Sequence, residues 1–274
     1  STPTQAAPTS TQAPPASTPA THTTYLAQVV LATGITDPHG LAVDAAGDVY
    51  VTDSGNSVSN LPAGTGTPRL LPFSGLSSPA GVAVDPTGNV YVADWGNNRV
   101  LKLTPGALVP SVLPFSGLQG PFGVAVDAAG NVYVADNSNA RVLKLPAGGT
   151  AQTVLPFAGL DTPHGVAVDT AGNVYATDYG NNRVLKLPAG SSTPTVLPFT
   201  DLRSPWGVAA DTAGDVYVVD YGNTRVVKLA TGATTQTALP FSGLKNAVGV
   251  AVDAAGNVYV TDGDNNRILK LPAG

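Results

Sequence analysis

Two families of aspartates, nine residues apart, are the first residues in the chain that could carry chemistry. The first family contains Asp44, Asp85, Asp127, Asp169, Asp211 and Asp253; the second contains Asp53, Asp94, Asp136, Asp178, Asp220 and Asp262. Paired carboxylates can act as general acid and base or can bind a hard metal ion. An enzyme rarely carries six identical active sites, so we interpret both families as structural. The first precedes a turn whose backbone N–H groups it can bind, and we expect the second to pair with the arginine five residues later.

The spacing of the first aspartate family defines the elements that must hold these residues. Successive members are separated by 41, 42, 42, 42 and 42 residues, and six copies of about 40 residues are typical of a propeller or a solenoid. Each copy contains four short apolar runs, written "GVAVD", "GNVYVAD", "RVLKL" and "TVLPF" in the most regular copies and separated by Gly-, Asn- and Pro-rich turns. Four antiparallel strands of this length form one propeller blade. The sequence therefore predicts an all-β, six-bladed β-propeller.

The two ends of the repeat array predict how the ring closes. The last copy ends after its third run, "RILKL" at 267–271, and the segment "YLAQVVLATGI" at 25–35 resembles a fourth run without the first three. We expect this N-terminal strand to join the last blade, because closure removes exposed strand edges. Residues 24–274 are predicted to be the propeller. Residues 1–23 contain only Ser, Thr, Pro, Gln, Ala and one His, which predicts a disordered Ser/Thr/Pro-rich stalk.

The composition of the chain excludes several classes of function. Charged residues make up 11% and the formal net charge is -5. Ten of the 13 basic residues occupy two fixed positions of the repeat, so no basic patch is expected and nucleic-acid binding is excluded. The chain has no Cys and therefore no disulfides or thiolate metal sites. It also lacks Met, and we expect it to be a fragment or a processed product of a longer protein.

Two loop positions in each copy vary while the rest is repeated. In an antiparallel four-stranded blade, the loop after the second strand and the crossing to the next blade lie at the same end. The odd aromatic and histidine residues of the copies concentrate in these two loops. We predict a ligand-binding face there, with a neutral or weakly polar ligand, because exposed aromatic rings are common binding anchors; the alternative is that these residues only cap the core. The predicted ligand-binding residues are His39, Trp95, Phe122, His164, Tyr179, Trp206 and Tyr221.

His39 and His164 occupy the same position in "DPHG" and "TPHG", three copies apart. In a six-bladed ring they would face each other across the axis. Zinc is bound by three or four ligands, and no third histidine stands at an equivalent position. We therefore expect no metal, no cofactor and no catalytic residue among the repeated positions.

The repeated pattern "GVAVDxxGNVYVxDxxNxRVLKL" resembles the NHL repeat, and the resemblance covers 40–274. More narrowly, the chain resembles the extracellular sensor domain of mycobacterial receptor-type serine/threonine protein kinases. In that family a cytoplasmic kinase domain, a membrane helix and a Ser/Thr/Pro-rich stalk precede a six-bladed propeller, and 1–23 fit the stalk. The resemblance implies a sensor on the extracellular side of the membrane, tethered by a segment outside this sequence. It would bind a glycan, a peptide or a protein and would signal by dimerisation or by ordering of the stalk.

The chain contains no Gly-rich phosphate loop, HRD or DFG motif. Kinase activity is therefore not expected in it, and the chain is predicted not to be an enzyme. Two alternatives to the sensor are retained. One is a metal-dependent NHL-type lyase or lactonase-like enzyme, and the other is an adhesion or scaffold module.

Overall fold

The computed structural model of the chain describes residues 24–274 as a ring of six four-stranded antiparallel sheets. The predicted stalk at 1–23 lies outside the described residues. We number the sheets as blades I to VI in the order of their first strands. Blade I contains β2 (Pro38–Val43), β3 (Val49–Asp53), β4 (Ser57–Leu61) and β5 (Arg69–Leu70). Blade II contains β6 (Pro79–Val84), β7 (Val90–Asp94), β8 (Arg99–Leu103) and β9 (Ser111–Val112). Blade III contains β10 (Pro121–Val126), β11 (Val132–Asp136), β12 (Arg141–Leu145) and β13 (Thr153–Val154).

The other three blades repeat the same order. Blade IV contains β14 (Pro163–Val168), β15 (Val174–Asp178), β16 (Arg183–Leu187) and β17 (Thr195–Val196). Blade V contains β18 (Pro205–Ala210), β19 (Val216–Asp220), β20 (Arg225–Leu229) and β21 (Thr237–Ala238). Blade VI contains β22 (Ala247–Val252), β23 (Val258–Asp262), β24 (Arg267–Leu271) and, from the start of the chain, β1 (Val29–Thr33). Single turns of 3₁₀ helix follow the second strands of blades II, III, V and VI, at Trp95–Asn97, Asn137–Asn139, Tyr221–Asn223 and Gly263–Asn265.

The first strands of successive blades contact each other all round the ring, including β22 with β2, so they line the central axis. The predicted six-bladed propeller is thus confirmed. Its core lies between blades: Tyr91 and Val100 of blade II, for example, pack with Val124 and Val132 of blade III. Among residues 24–274, no helix has the length and apolar character needed to cross a membrane.

The N-terminal strand closes the ring as predicted. Strand β1 pairs antiparallel with β24, and Val29 lies opposite Lys270 while Thr33 lies opposite Arg267. The outer strands of blades I to V have two residues each, whereas β1 has five. Just before β1, the Gln28 side-chain amide makes two hydrogen bonds with the backbone of Ser242. Its Nε2 donates to the Ser242 carbonyl oxygen, and its Oε1 accepts the Ser242 N–H at 2.9 Å. Equivalent exchanges join Gln152 to Ser116 and Gln236 to Thr200, so the closing strand differs from the other outer strands in its longer pairing alone.

The first aspartate family organises the turn between the first two strands of each blade. In blade II, Asp85 Oδ1 accepts the N–H groups of Thr87 and Asn89, and Oδ2 accepts the Tyr91 hydroxyl at 2.9 Å. Burial acts to raise the pKa of Asp85, but the hydrogen bonds from Asn89, Thr87 and Tyr91 outweigh it and lower that pKa below its usual value. The Lys102 ammonium lies 5.3 Å from the centre of the Tyr91 ring. These contacts agree with the structural interpretation of this family.

The second aspartate family closes the loop at the opposite end of the blade. Asp94 is fully buried, and its Oδ2 accepts Arg99 Nε at 2.7 Å while its Oδ1 accepts the backbone N–H of Ser77 at 2.7 Å. The same Asp–Arg pair recurs in blades III to VI. Each pair fixes the loop after the second strand against the crossing from the preceding blade. Because both variable positions lie in these two loops, the repeated ion pair is what positions them.

Candidate functional site at one end of the propeller axis

The first strands begin at one end of the axis, and the residue after the initial proline or alanine of each strand faces a cavity there. We call this end the variable mouth. The six residues of the ring are His39, Ala80, Phe122, His164, Trp206 and Val248. The cavity inside the ring measures about 70 Å³, which is room for a few water molecules. A larger ligand does not fit inside this cavity.

Glycines directly after the ring residues bring the blades close together. A Cβ atom added at Gly123 would lie 2.6 Å from the carbonyl oxygen of His164, and one added at Gly165 would lie 2.6 Å from that of Trp206. No side chain fits at either position. The first strands therefore approach each other closely, and ring residues of adjacent blades are held side by side.

Five of the seven predicted site residues form one continuous cluster, which we call the aromatic cluster. It consists of Phe122, His164, Tyr179, Trp206 and Tyr221 from blades III, IV and V. The His164 ring is stacked on Tyr179 with a centroid distance of 4.2 Å, and Trp206 meets the edge of His164 at 4.5 Å. Tyr221 also lies against Trp206, with a centroid distance of 4.9 Å. The two tyrosines come from the loops after the second strands and the other three rings from the start of the first strands, so both variable positions contribute.

His164 is the most buried member of the cluster, with 8% of its surface exposed. Its Nδ1 lies 2.8 Å from the carbonyl oxygen of Thr162, and the Asn137 amide nitrogen lies 3.2 Å from the carbonyl oxygen of Pro163. Burial lowers the pKa of His164 to about 4, although the hydrogen bond with Thr162 acts in the opposite direction. The imidazole is therefore neutral at physiological pH.

His39, in the same position three blades away, lies apart from the aromatic cluster in a different environment. Its side chain is 33% exposed, and Nε2 lies 3.3 Å from Asp37 Oδ2. That carboxylate oxygen also accepts the Ser54 hydroxyl at 2.7 Å. The neighbouring ring residues Ala80 and Val248 are small or aliphatic and buried. The mouth is thus asymmetric: one half carries the aromatic cluster, and the other carries a polar His–Asp–Ser group beside small side chains.

Trp95 is the predicted site residue that lies away from both groups. It is 43% exposed and makes none of the ring contacts that join the five members of the aromatic cluster. Its indole lies over the next crossing loop, where a Cβ added at Gly120 would be 2.9 Å from the indole nitrogen. It shares the end of the propeller with the cluster but is placed on the rim.

Thr177 is a positioning residue that the sequence reasoning missed. Its hydroxyl donates to the Trp206 carbonyl oxygen at 2.6 Å and accepts the Gly165 N–H at 2.7 Å, so it links the strands that carry His164 and Trp206. Thr52 and Thr261 occupy the same place in blades I and VI, where the other blades have Ala or Val. The signal was present in the sequence as "TD" in place of "AD" or "VD".

The opposite end of the axis holds a wider depression that the sequence reasoning also passed over. It measures about 860 Å³ and is lined by the turns after the first strands of blades I to IV. Those turns begin with Asp–Ala, Asp–Pro or Asp–Thr and carry few large side chains. Throughout 24–274, no group of three or more His, Cys, Asp or Glu side chains is placed to hold a metal ion.

Comparison with known families identifies the repeat. The NHL repeat matches six segments, at 36–57, 76–103, 118–145, 160–187, 202–229 and 244–271, which together make up more than half of the chain. The chain belongs to the NHL-repeat family. No curated protein is significantly similar to it in sequence.

Several solved propellers share the fold of this NHL chain. One belongs to a nidogen/laminin complex, with a TM-score of 0.71, 23% identity, and coverage of 78% of this chain and 84% of that one. A streptogramin B lyase has a TM-score of 0.68 at 16% identity and covers 91% and 98%. A gluconolactonase from Xanthomonas campestris has a TM-score of 0.75 at 18% identity and covers 90% and 89%. At these identities the similarity extends to the fold alone.

These similarities correct one prediction. The expectation that the chain is not an enzyme is contradicted, because the similar propellers include a lyase and a gluconolactonase. The absence of kinase motifs excluded only phosphoryl transfer of the protein-kinase type and could not exclude other chemistries on a propeller. The narrower resemblance to the sensor domains of receptor kinases is not found among these neighbours, which are nidogen, lyase and lactonase structures.

Proposed function

We propose that the NHL propeller binds a small uncharged ligand on the variable mouth, with the aromatic cluster as the contact surface. The observation that carries this proposal is the continuous group of five rings, of which Phe122, Tyr179, Trp206 and Tyr221 are only partly buried. Aromatic rings held against each other at a concave end offer a large apolar contact at low entropic cost. The nidogen propeller, solved in a complex with laminin, supports binding as a use of this fold.

Charge at the mouth supports an uncharged ligand. The arginines of the repeat are paired with buried aspartates, and the His39 imidazole faces Asp37. The aromatic cluster itself contains no carboxylate or ammonium group. A charged ligand would lose hydration on these rings without gaining an ionic partner among them, and the exposed side chains of Asp161 and Arg203 beside the cluster are of opposite sign.

Intrinsic fluorescence tests the proposal, because Trp95 and Trp206 are the only tryptophans. A Trp95→Phe variant reports Trp206 alone, and a Trp206→Phe variant reports Trp95 alone. Neutral oligosaccharides and uncharged peptides are titrated into both. Binding at the mouth should change the emission of the Trp95→Phe variant saturably and leave the Trp206→Phe variant almost unchanged. Equal responses, or a response of Trp95 alone, would place the ligand elsewhere.

A more specific form of this proposal is that the propeller is the ligand-binding sensor domain of a transmembrane serine/threonine kinase. Its support is the resemblance of the repeats and the Ser/Thr/Pro-rich 1–23 to receptor kinases, which would place the propeller on the extracellular side of a membrane. Sedimentation of the chain with and without a ligand identified by fluorescence distinguishes signalling by dimerisation from signalling within a monomer. A ligand-dependent shift to a dimer supports the first, and an unchanged monomer removes it.

A second candidate function is catalysis at the same mouth by a lyase or lactonase-like enzyme. Two observations favour it: the enzymes among the similar propellers, and the presence of His39 and His164 in the same ring position. The test incubates the propeller with a streptogramin B and with gluconolactone, with and without added divalent metal, and follows the consumption of each compound. Turnover that is lost in His164→Phe or His39→Phe supports catalysis. If each compound reacts no faster with the propeller than in buffer, with or without metal, neither compound is a substrate.

A further inference from the structure

His164 has a proton on a defined nitrogen. A carbonyl oxygen can only accept, so the 2.8 Å contact between Nδ1 and Thr162 O requires an N–H at Nδ1. The Asn137 amide, which lies 3.4 Å from Nδ1, donates instead to the Pro163 carbonyl oxygen at 3.2 Å. In a neutral imidazole with hydrogen on Nδ1, Nε2 carries a lone pair and can only accept.

The Nε2 atom of His164 has no hydrogen-bond partner within 24–274. It is also not sealed from solvent, because the buried side-chain atoms without partners in that range are the Tyr25 hydroxyl and the Asn60 amide nitrogen. The residue as a whole is more than nine-tenths buried and lines the mouth. An acceptor is therefore present among apolar ring faces, where water has few other partners and a hydrogen bond is strengthened by the low local polarity.

From this geometry, and resting on the proposed function, we infer that His164 Nε2 is the specificity-determining acceptor for a hydroxyl of a neutral pyranoside saccharide stacked on the aromatic cluster. A pyranose ring has an apolar C–H face and a rim of hydroxyl donors. The half-buried indole of Trp206, at 4.5 Å from the His164 ring, supplies a surface for the face, and Nε2 supplies an acceptor for the rim.

A cationic ligand fits this mouth less well than a neutral saccharide does. An aromatic cage for an ammonium group needs ring faces arranged around an open centre, whereas His164, Tyr179 and Trp206 are packed against one another at centroid distances of 4.2 to 5.6 Å. Next to the cluster, Arg203 lies against the Tyr221 loop and Asp161 lies against the Tyr179 loop, so the two neighbouring charges are of opposite sign and favour neither a cation nor an anion.

The test compares matched ligands and matched variants. The probes are short neutral oligosaccharides, the same oligosaccharides with every hydroxyl O-methylated, and an alkylammonium ion of similar size. His164→Phe removes the acceptor and keeps a ring, whereas His164→Gln keeps an acceptor near the Nε2 position. Val154→Thr, on the exposed outer strand of blade III, is the control variant away from the mouth. Thermal melting of each variant shows whether it is folded, and titrations use the Trp206 signal and isothermal calorimetry.

We expect at least one free saccharide to bind, and its O-methylated form to bind about tenfold or more weakly, as loss of a buried hydrogen bond predicts. His164→Phe should show a similar loss, His164→Gln should recover most of the affinity, and Val154→Thr should match the parent. An NMR spectrum of ¹⁵N-labelled imidazole should show His164 with its proton on Nδ1. Since this readout needs no ligand, it tests the tautomer even if a variant fails to fold.

Four results would overturn the inference: a proton on Nε2, equal binding of methylated and free saccharides, preferential binding of the alkylammonium ion, or failure of every saccharide in the panel. If saccharides fail but an uncharged peptide still changes Trp206 emission, the role of His164 is wrong while the proposed binding function survives. If no uncharged probe affects Trp206, both fail.

Discussion

Lys228 Nζ lies 2.7 Å from Asp215 Oδ2, in a partly buried ion pair of blade V. The corresponding residues of blade I are Asn60 and Asp48, since Asn60 lies opposite Tyr50 as Lys228 lies opposite Tyr217. Blade I thus keeps the acidic residue without the lysine. Burial, followed by the nearby carboxylates of Asp44 and Asp48, raises the pKa of the Tyr50 phenol.

The first prediction is that Asn60→Lys stabilises the propeller. The Asn60 amide nitrogen is buried without a hydrogen-bond partner, and a lysine there would reach Asp48 as Lys228 reaches Asp215. We expect a gain of about 1 kcal/mol in the free energy of unfolding and a rise in melting temperature of about 2 °C, measured by scanning calorimetry. The control combines Asn60→Lys with Asp48→Asn. If the double variant shows the full gain, packing and not the ion pair is responsible.

The second prediction compares two members of the repeated Asp family. Asp178 is fully buried and accepts Arg183 Nε at 2.6 Å and the Asp161 N–H at 2.6 Å. Asp53 in blade I is less buried, and its carboxylate binds the hydroxyl and the N–H of Ser57. Asp178→Ala should lower the free energy of unfolding by about 3 kcal/mol and Asp53→Ala by about 1 kcal/mol. Urea unfolding followed by circular dichroism gives both values, and equal losses would show that the arginine adds nothing.

The sequence predicted the propeller because each local signal was repeated six times. The second aspartate was correctly paired with the arginine five residues later, and the first with its turn, because both partners lie within ten residues along the chain. Closure by residues 25–35 followed from the fourth strand that the last copy lacks and from the single fourth strand at the start of the array. These contacts are set by strand register, which the hydrophobic pattern and the turns determine.

The side-chain contacts at the variable mouth could not be predicted from the repeat pattern. His39 and His164 occupy the same position of the repeat, so the sequence predicts the same environment for both. In the structure, His164 lies within the aromatic cluster while His39 faces Asp37. The difference arises from the neighbouring blades, which place Phe122 and Trp206 on either side of one histidine and Ala80 and Val248 beside the other. Trp95 was grouped with the cluster by its variable position, but its loop directs it to the rim.

The third prediction concerns acid stability. Hydrogen bonds lower the pKa values of Asp85, Asp127, Asp169 and Asp253 despite their burial. A carboxyl group with a lower pKa in the folded protein stabilises the fold above its unfolded pKa of about 4 and loses that contribution as the pH falls. The melting temperature should therefore be nearly constant from pH 7 to about pH 5 and drop steeply below about pH 4.

Asp85→Asn tests which groups cause this drop. The variant should be less stable than the parent at pH 7, where the parent carboxylate accepts hydrogen bonds from Thr87, Asn89 and Tyr91. The difference should shrink at pH 3, because Asp85 of the unfolded parent is protonated below about pH 4 and keeping this carboxyl ionised in the fold then costs free energy. A difference that is the same at both pH values would mean that Asp85 does not titrate with the fold.

The fourth prediction assigns the two tryptophan emissions. Trp206 is partly buried and surrounded by Phe122, Tyr179 and Tyr221, whereas 43% of Trp95 is exposed on the rim. In the absence of ligand, the Trp206→Phe variant should therefore emit at longer wavelength and be quenched by acrylamide more strongly than the Trp95→Phe variant.

Thr177→Val provides the structural control, since it removes the hydroxyl that donates to the Trp206 carbonyl oxygen at 2.6 Å. Combined with Trp95→Phe, it should increase quenching of Trp206, and combined with Trp206→Phe it should leave Trp95 unchanged. Equal quenching of Trp206 with and without the Thr177 hydroxyl would show that ring packing alone fixes the indole.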